Sequence, residues 1–273
     1  MKITVLMENT CGLQHKNLKI EHGLSLYIET ENHKILFDTG QTDAFAKNAE
    51  TLNRDLNQID VAVLSHGHYD HGGGIRRFLE LNSRAPVYMS CHAFEPHYSG
   101  LVKPIGLDLE LQNERQIVLT GDAKSYPQDD VTVIDEELEL YSCNAYEKRF
   151  EMNPYGLYRV ENGEKVPEDF RHEQYLLIKE KGKRILISGC SHKGILNIVD
   201  WFRPDILIGG FHFTKLDPDG EGQAALEEAA KVLKQYPTVY YTGHCTGQSQ
   251  FAFLKERMGE QLHYLAAGDA IIV

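Results

Sequence analysis

The sequence predicts a mixed α and β protein in which helices cover the outer faces of two β-sheets. Short apolar, β-branched runs recur along the 273 residues and predict strands, and amphipathic runs between and after them predict helices. So many strands favour two sheets with helices on the outside. The predicted fold class is therefore α/β in the broad sense that includes α+β.

The predicted elements follow one another in a regular order. Apolar runs predict strands at 3–6, 24–28, 34–37, 61–64, 86–89, 116–119, 131–134, 205–209 and 238–242. Helical spacing predicts helices at 43–52, 74–81, 194–202, 224–236 and 248–257. A hairpin is predicted at 174–188, turning at Lys181-Gly182. The proline-rich segment at about 93–169 is interpreted as an insertion near the functional site of a single domain, 1–273.

Composition limits the partners and the compartment. Forty acidic residues against 28 basic ones give a formal net charge of -12, which disfavours a nucleic-acid partner because phosphate binding requires a basic surface. No apolar stretch suits a secretory signal or a membrane span, so we expect a cytoplasmic protein with no membrane partner. Five cysteines without a C-x-x-C pair argue against a disulfide framework. A homo-oligomer is left open.

The main chemical signal directly follows the predicted strand at 61–64. The segment SHGHYDHGGG places His66, His68, Asp70 and His71 within six positions, which a packing requirement does not explain. Imidazole and carboxylate ligands together suit zinc, manganese or iron, whereas calcium prefers oxygen alone. We therefore expect two divalent metal ions, with zinc preferred, and glycines that let the backbone approach the ions closely.

Other metal-competent residues also follow predicted apolar strands. They are Asp38, Cys190, His192, His212 and His244. Because sheets of this kind carry their ligands beyond the strand ends, we expect these residues to converge on one edge. Cys190 is equally explained as a small buried residue, and His212 as a capped strand end.

The motif H-x-H-x-D-H, preceded by a strand ending in L-F-D-T-G, resembles the metallo-β-lactamase superfamily, whose fold is an αββα sandwich. The resemblance implies that one metal is bound by His66 and His68, and that the other is bound by Asp70, His71 and His244. It also implies that Asp38 supports the cluster. The segment G-H-T-P-G of common members is absent, and the predicted strand that ends at 188 is followed by G-C-S-H rather than by G-D.

The missing ligand positions leave alternatives. His192, in GCSH, is the candidate for the third histidine of the first metal, and His172, in FRHEQYLL, is its competitor. Cys190 falls where the resemblance places a bridging acid or thiolate. More narrowly, EHGLSLYIE, ILFDTG, SHGHYDHGGG, GCSHKGI, IGGFHF and HCTG look like the subgroup related to dihydropterin ribofuranosylaminobenzene phosphate synthase.

These observations predict a binuclear metal-dependent hydrolase that uses a metal-bound hydroxide. Its substrate would be a small ester, thioester, lactone or phosphoester, with phosphorylated compounds among the candidates. Asp70 would orient the hydroxide or accept its proton, and His212 or His97 would protonate the leaving group or bind phosphate. Further candidates for substrate binding are Glu21, His22 and His172. The alternatives are a pterin-related synthase, which is a transferase, and a mononuclear iron dioxygenase.

Overall fold

The structure is a computed structural model that describes residues 1–15, 17–121 and 130–273. The strands are, in chain order, β1 Lys2–Met7, β2 Ser25–Glu29, β3 Lys34–Phe37, β4 Val61–Val63, β5 Val87–Ser90, β6 His97–Ser99, β7 Lys103–Pro104, β8 Ile117–Thr120, β9 Val131–Val133, β10 Leu138–Tyr141, β11 Leu157–Glu161, β12 Glu164–Pro167, β13 Tyr175–Glu180, β14 Lys183–Gly189, β15 Ile206–Gly209, β16 Val239–Thr242, β17 Leu262–Tyr264 and β18 Ala270–Ile272. The helices are α1 Ala44–Thr51, α2 Tyr69–Gly72, α3 Ile75–Leu81, α4 Ile195–Phe202, α5 Gln223–Leu233 and α6 Gln248–Met258.

Two mixed sheets of seven strands each pack face to face. Their orders are β18-β1-β2-β3-β4-β5-β8 and β17-β16-β15-β14-β13-β10-β9. Apolar side chains that alternate along the strands meet between the sheets, among them Leu26 and Phe37 from one sheet and Leu176 and Ile187 from the other. This shared apolar layer forms the central core.

The helices lie on the two outer faces. Phe45 of α1 and Phe78 of α3 pack against the first sheet, and Ile198 of α4 and Leu226 of α5 pack against the second. The predicted αββα sandwich is therefore confirmed. No helix in the three described ranges combines the length and apolar character needed to cross a lipid bilayer.

A third, four-stranded sheet of order β12-β11-β6-β7 lies within the segment interpreted as an insertion. Its strands did not emerge from the sequence, because they are short and half-exposed and so lack a clear apolar alternation. Strands β8, β9 and β10 of the same segment belong instead to the main sheets. Residues 122–129 lie outside the described residues, and the insertion itself stays a prediction.

Parallel pairing brings the ends of the ligand-bearing strands together. β3 is parallel to β4, and β14, β15 and β16 are parallel to one another. The carboxyl ends of parallel neighbours point to the same edge, so the loops that follow these strands meet there. Strand pairing thus positions the candidate site.

Candidate metal centre

One set of ligands combines the first two histidines of the motif with a histidine from the loop after β14. His66, His68 and His192 each offer a nitrogen within 4.8 Å of the other two, and all three side chains are buried. Nε2 of His66 lies 3.2 Å from Nε2 of His192. Two nitrogens that bind one tetrahedral zinc ion are separated by about 3.3 Å, so this first ligand set fits a cation.

A second ligand set lies next to it. Nε2 of His71 is 3.1 Å from Nε2 of His244 and 3.1 Å from Sγ of Cys190. Oδ2 of Asp70 lies 3.6 Å from the His71 nitrogen and 3.5 Å from the His244 nitrogen. Two imidazoles, a thiol and a carboxylate therefore converge on one point, and this donor set suits zinc or iron.

Asp38 and Ser65 decide which nitrogen of the neighbouring imidazoles carries the proton. Nδ1 of His71 donates to Oδ2 of Asp38 at 2.6 Å, and the Ser65 hydroxyl donates to the same oxygen at 2.8 Å. Because the single hydrogen of that hydroxyl is already donated to Asp38, Oγ of Ser65 acts as the acceptor for Nδ1 of His66 at 2.8 Å. In the neutral form of both imidazoles, Nε2 therefore carries the lone pair that cation binding requires.

His244 is held from the other end of the chain. Its Nδ1 donates to Oδ1 of Asn9 at 2.8 Å, and its backbone N–H donates to Oε1 of Glu8 at 2.5 Å. Sequence reasoning missed Glu8 and Asn9. Their position directly after β1 could have identified them, because the other candidate site residues were identified as polar residues that directly follow a strand.

Glu173 shapes the loop that carries His192. Its buried carboxylate accepts the backbone N–H groups of His192 at 2.6 Å and Lys193 at 3.0 Å, and the Tyr175 hydroxyl at 2.6 Å. The Lys193 ammonium donates to backbone oxygens of Glu173 and Ser142 at 2.8 and 2.6 Å. Nothing in the sequence indicated these roles, because they depend on contacts that form only when the protein folds.

The electrostatics favour cation binding. Burial lowers the pKa of His66, His68 and His192 well below the ordinary histidine value, and neighbouring imidazoles lower it further. These rings are therefore neutral, the form that binds metal. Burial also lowers the pKa of His71, but the Asp38 and Asp70 carboxylates outweigh it and raise that pKa to about 9. A bound cation would have to displace this proton.

Asp70 stays ionised for a related reason. Burial raises the pKa of its carboxyl, but the charges of His71 and His244 outweigh burial and hold the pKa well below its usual range. Nε2 of His22 lies 3.4 Å from Oδ2 of Asp70, and the His22 ring is more than half exposed. An anionic carboxylate therefore lies beside both ligand sets.

A cavity of about 280 Å³ opens onto these groups. His22, His68, Asp70, His192 and His244 line it, together with His212, Cys190 and Cys245, and with Lys103 and Lys215. The half-buried His212 lies 4.3 Å from His192 between ring centroids, and its Nδ1 has no hydrogen-bond partner. The larger depression of about 930 Å³ between α1 and α3 contains none of the ligands.

Three predicted substrate-binding residues lie away from this cavity. Glu21 accepts the backbone N–H of Gln41 at 2.8 Å and so holds the loop before α1. His97 and His172 are fully buried beside His68, with ring centroids 5.6 and 4.9 Å from it. Since Nδ1 of His172 accepts the Gly67 N–H at 2.9 Å, this geometry favours His192 over His172 as the third histidine.

Two glycines of the motif are required by close backbone packing. A Cβ on Gly73 would lie 2.1 Å from the backbone oxygen of Gln41, and one on Gly74 would lie 2.4 Å from that of Thr39. Packing therefore accounts for these two glycines, and the expectation that they let the backbone approach the ions stays a prediction. They let α2 and α3 pack against the loop after β3, which carries Asp38.

Comparisons with known proteins agree with the fold. A family model described as the metallo-beta-lactamase superfamily matches residues 19–144. The chain is 30% identical to a 7,8-dihydropterin-6-methyl-4-(beta-D-ribofuranosyl)-aminobenzene-5'-phosphate synthase of Methanocaldococcus jannaschii, over 99% of this chain and 96% of that protein. An uncharacterized protein of the same organism, MJ0448, is 29% identical over 90% of each chain.

A solved structure shows the same arrangement over the whole chain. The crystal structure of Tm1679, a metal-dependent hydrolase of the beta-lactamase superfamily, superimposes with a TM-score of 0.79 at 27% identity, covering 100% of this chain and 99% of that one. The full-length relative, the matching fold and the His-rich motif after β4 agree with one another. The chain therefore belongs to the metallo-beta-lactamase superfamily.

Proposed function

We propose that the chain is a metal-dependent hydrolase with two adjacent cation sites, acting on a small ester, thioester, lactone or phosphoester. The observation that carries the proposal is that two buried ligand sets lie side by side at one cavity, with the ring centroids of His66 and His71 4.1 Å apart. The first set brings the His66 and His192 nitrogens to 3.2 Å, and the second brings the His71 and His244 nitrogens to 3.1 Å.

The residues present fit two divalent cations. His66, His68 and His192 would hold the first, and Asp70, His71 and His244, with Cys190, would hold the second. The fit rests on which nitrogens face the centre: hydrogen bonds to Nδ1 of His66 and His71 leave Nε2 of each ring to bind a cation, once a cation displaces the second proton of His71. When bound, two such cations would polarise a substrate oxygen and lower the pKa of a bound water far below that of bulk water.

The chain's own side chains would supply the remaining chemistry. The ionised carboxylate of Asp70 lies at the cavity surface, where it can accept a proton from the attacking water. His212 lines the same cavity with an unpartnered Nδ1 and can donate a proton to the leaving group. Lys103 and Lys215 give the cavity positive charge in an acidic protein, which favours an anionic, phosphorylated substrate.

A second candidate function is the pterin-related synthase reaction. The observation in its favour is the 30% identity to the named synthase over nearly the full length of both chains. In that reaction the same cavity would orient a phosphorylated substrate through Lys103 and Lys215, and no water would need activation. The two functions therefore differ in what Asp70 must do.

Substrate trials separate the two candidates. Protein loaded with zinc, manganese or iron is incubated with phosphodiester, thioester and lactone substrates, and separately with a pterin diphosphate and an aminobenzene riboside phosphate. We expect hydrolysis of at least one ester class, abolished in Asp70→Asn and unchanged in the exposed Asp43→Asn control. Turnover of the pterin pair without any hydrolysis would establish the synthase instead.

Zinc is the proposed cation because of Cys190. Its Sγ is 3.1 Å from Nε2 of His71, and thiolate is a soft ligand that manganese binds poorly. Cys190→Ser should weaken zinc binding more than manganese binding, whereas Cys11→Ser, outside the site, should change neither. Equal losses for both metals would remove the basis for preferring zinc. The five cysteines, all of which lie in the described ranges, form no disulfide bond, which supports a cytoplasmic location.

A further inference from the structure

We propose that His97 and Glu168 are positioning residues that hold His68 for cation binding. The proposal rests on the two-cation centre proposed above and concerns residues behind it. His68, His97 and His172 each place a nitrogen within 4.8 Å of the other two, and Nε2 of each is buried without a hydrogen-bond partner. Buried side-chain nitrogens without a hydrogen-bond partner are rare, so this cluster requires an explanation.

The first interaction in the proposed arrangement is a hydrogen bond between a buried carboxylate and a buried imidazole. Nδ1 of His97 lies 2.8 Å from Oε2 of Glu168, and both side chains are almost completely buried. Because an ionised carboxylate only accepts hydrogen bonds, the proton lies on Nδ1 of His97. Nε2 of His97 therefore presents a lone pair.

The second link runs from His97 to His68. The two rings meet edge to face at a centroid distance of 5.6 Å. His68 lines the cavity, and its Nε2 is fully buried, so we assign Nδ1 to the first cation. The proton of His68 then lies on Nε2, which makes no hydrogen bond to His97; the lone pair of the neighbouring His97 ring and the negative charge of Glu168 stabilise that arrangement electrostatically. Outer carboxylates orient metal-binding histidines in this way in many proteins.

His172 argues against a third cation in this cluster. The Gly67 N–H donates to Nδ1 of His172 at 2.9 Å, so the neutral ring carries its proton on Nε2. A nitrogen that carries a proton cannot bind a cation. His172 instead packs against both of the other rings, with its centroid 3.9 Å from that of His97 and 4.9 Å from that of His68.

The small third sheet brings the two positioning residues together. His97 begins β6 and pairs with Arg159 of β11, while Pro167, which precedes Glu168, pairs with Tyr158 of β11. Strand pairing therefore places residues 71 positions apart within hydrogen-bond distance. This assigns the sheet a role in the metal centre.

The test uses cobalt-loaded protein, whose visible absorption reports ligand geometry, and a chelator competition that measures cation affinity without turnover. The variants are His97→Phe, which keeps a ring but no polar atom, His97→Gln, which restores an acceptor, and Glu168→Gln. The matched control is His92→Gln, since Nδ1 of His92 makes a similar hydrogen bond, 2.7 Å long, to Glu95 in the same segment.

We expect His97→Phe to weaken binding of one of the two cations by about 10-fold to 100-fold and to shift the cobalt bands. His97→Gln should recover part of both effects, Glu168→Gln should shift both in the same direction, and His92→Gln should match the wild type. If circular dichroism shows that His97→Phe does not fold, the cation affinity and cobalt spectrum of the nearly isosteric Glu168→Gln variant test the proposal instead.

Three outcomes would overturn the proposal. Wild-type spectra and affinities in both His97→Phe and Glu168→Gln would show that His68 needs no such support. A third bound cation that disappears in His97→Phe would make the cluster a cation site. A wild-type protein that binds no cation would remove the two-cation centre as well, so failure of the proposed function is distinguishable from failure of this inference alone.

Discussion

Oδ2 of Asp38 lies 2.6 Å from Nδ1 of His71, and both side chains are fully buried. This contact joins the loop after β3 to the short helix α2. It keeps a proton on Nδ1 of His71, and it holds α2 against the loop after β3 at the edge of the first sheet. The metal centre therefore depends on a carboxylate that need not touch a metal.

Asp38→Asn should weaken cation binding by about 10-fold to 100-fold, because a neutral amide holds the Nδ1 proton of His71 less firmly. Asp38 has a φ of 59°, which asparagine tolerates, so the backbone should persist. Chelator competition measures the loss. The exposed Asp43→Asn is the control, and equal affinities in the two variants would contradict the role of Asp38.

Removing one ligand from each set should remove one cation at a time. His192→Ala and His244→Ala should each retain one of two equivalents, because the two histidines belong to different ligand sets. Elemental analysis after dialysis measures this stoichiometry. His263→Ala, whose ring stacks on Tyr241, should keep both equivalents. If His192→Ala and His244→Ala both emptied the centre, the two sets would be one cooperative site.

Gly73→Ala should destabilise the protein by at least about 1–3 kcal/mol, because the added Cβ would lie 2.1 Å from the backbone oxygen of Gln41. Gly106→Ala is the matched control, since its Cβ would meet nothing closer than 3.6 Å. Denaturant unfolding of both variants measures the difference. Similar free energies of unfolding would show that the loop before α1 moves aside without cost.

His33 should make stability depend on pH. Burial lowers its pKa, but the hydrogen bond and charge of Asp60 and the charge of Asp135 outweigh burial and raise it. A raised folded-state pKa stabilises the fold fully below the unfolded value of about 6.5, and this contribution is lost as pH rises through the folded value.

His33→Gln should therefore lower the free energy of unfolding by about 0.5–1 kcal/mol at pH 5.5, the range for a partly exposed ion pair. The difference from wild type should shrink at pH 8.5. Urea unfolding of both proteins at the two pH values measures it. A gap that widened with rising pH would have the wrong sign for this pair.

Much of the architecture could be predicted from local patterns. The hairpin of β13 and β14 turns at Lys181 and Gly182, as predicted, and both residues have positive φ. Strands buried on both faces have strong apolar patterns, so they were found. β17 and β18 were missed because they are three residues long and partly exposed. Short strands form only because a neighbouring strand pairs with them.

The sequence also predicted the types of ligand and their positions after strands. A cluster such as His66 to His71 lies within six positions, and strand ends are local features of the sequence. The sequence did not predict which nitrogen of each ring carries the proton. Asn9 reaches His244 across 235 positions, and Glu168 reaches His97 across 71. An imidazole binds a cation only through the nitrogen whose partner leaves its lone pair free, and only folding brings those partners together.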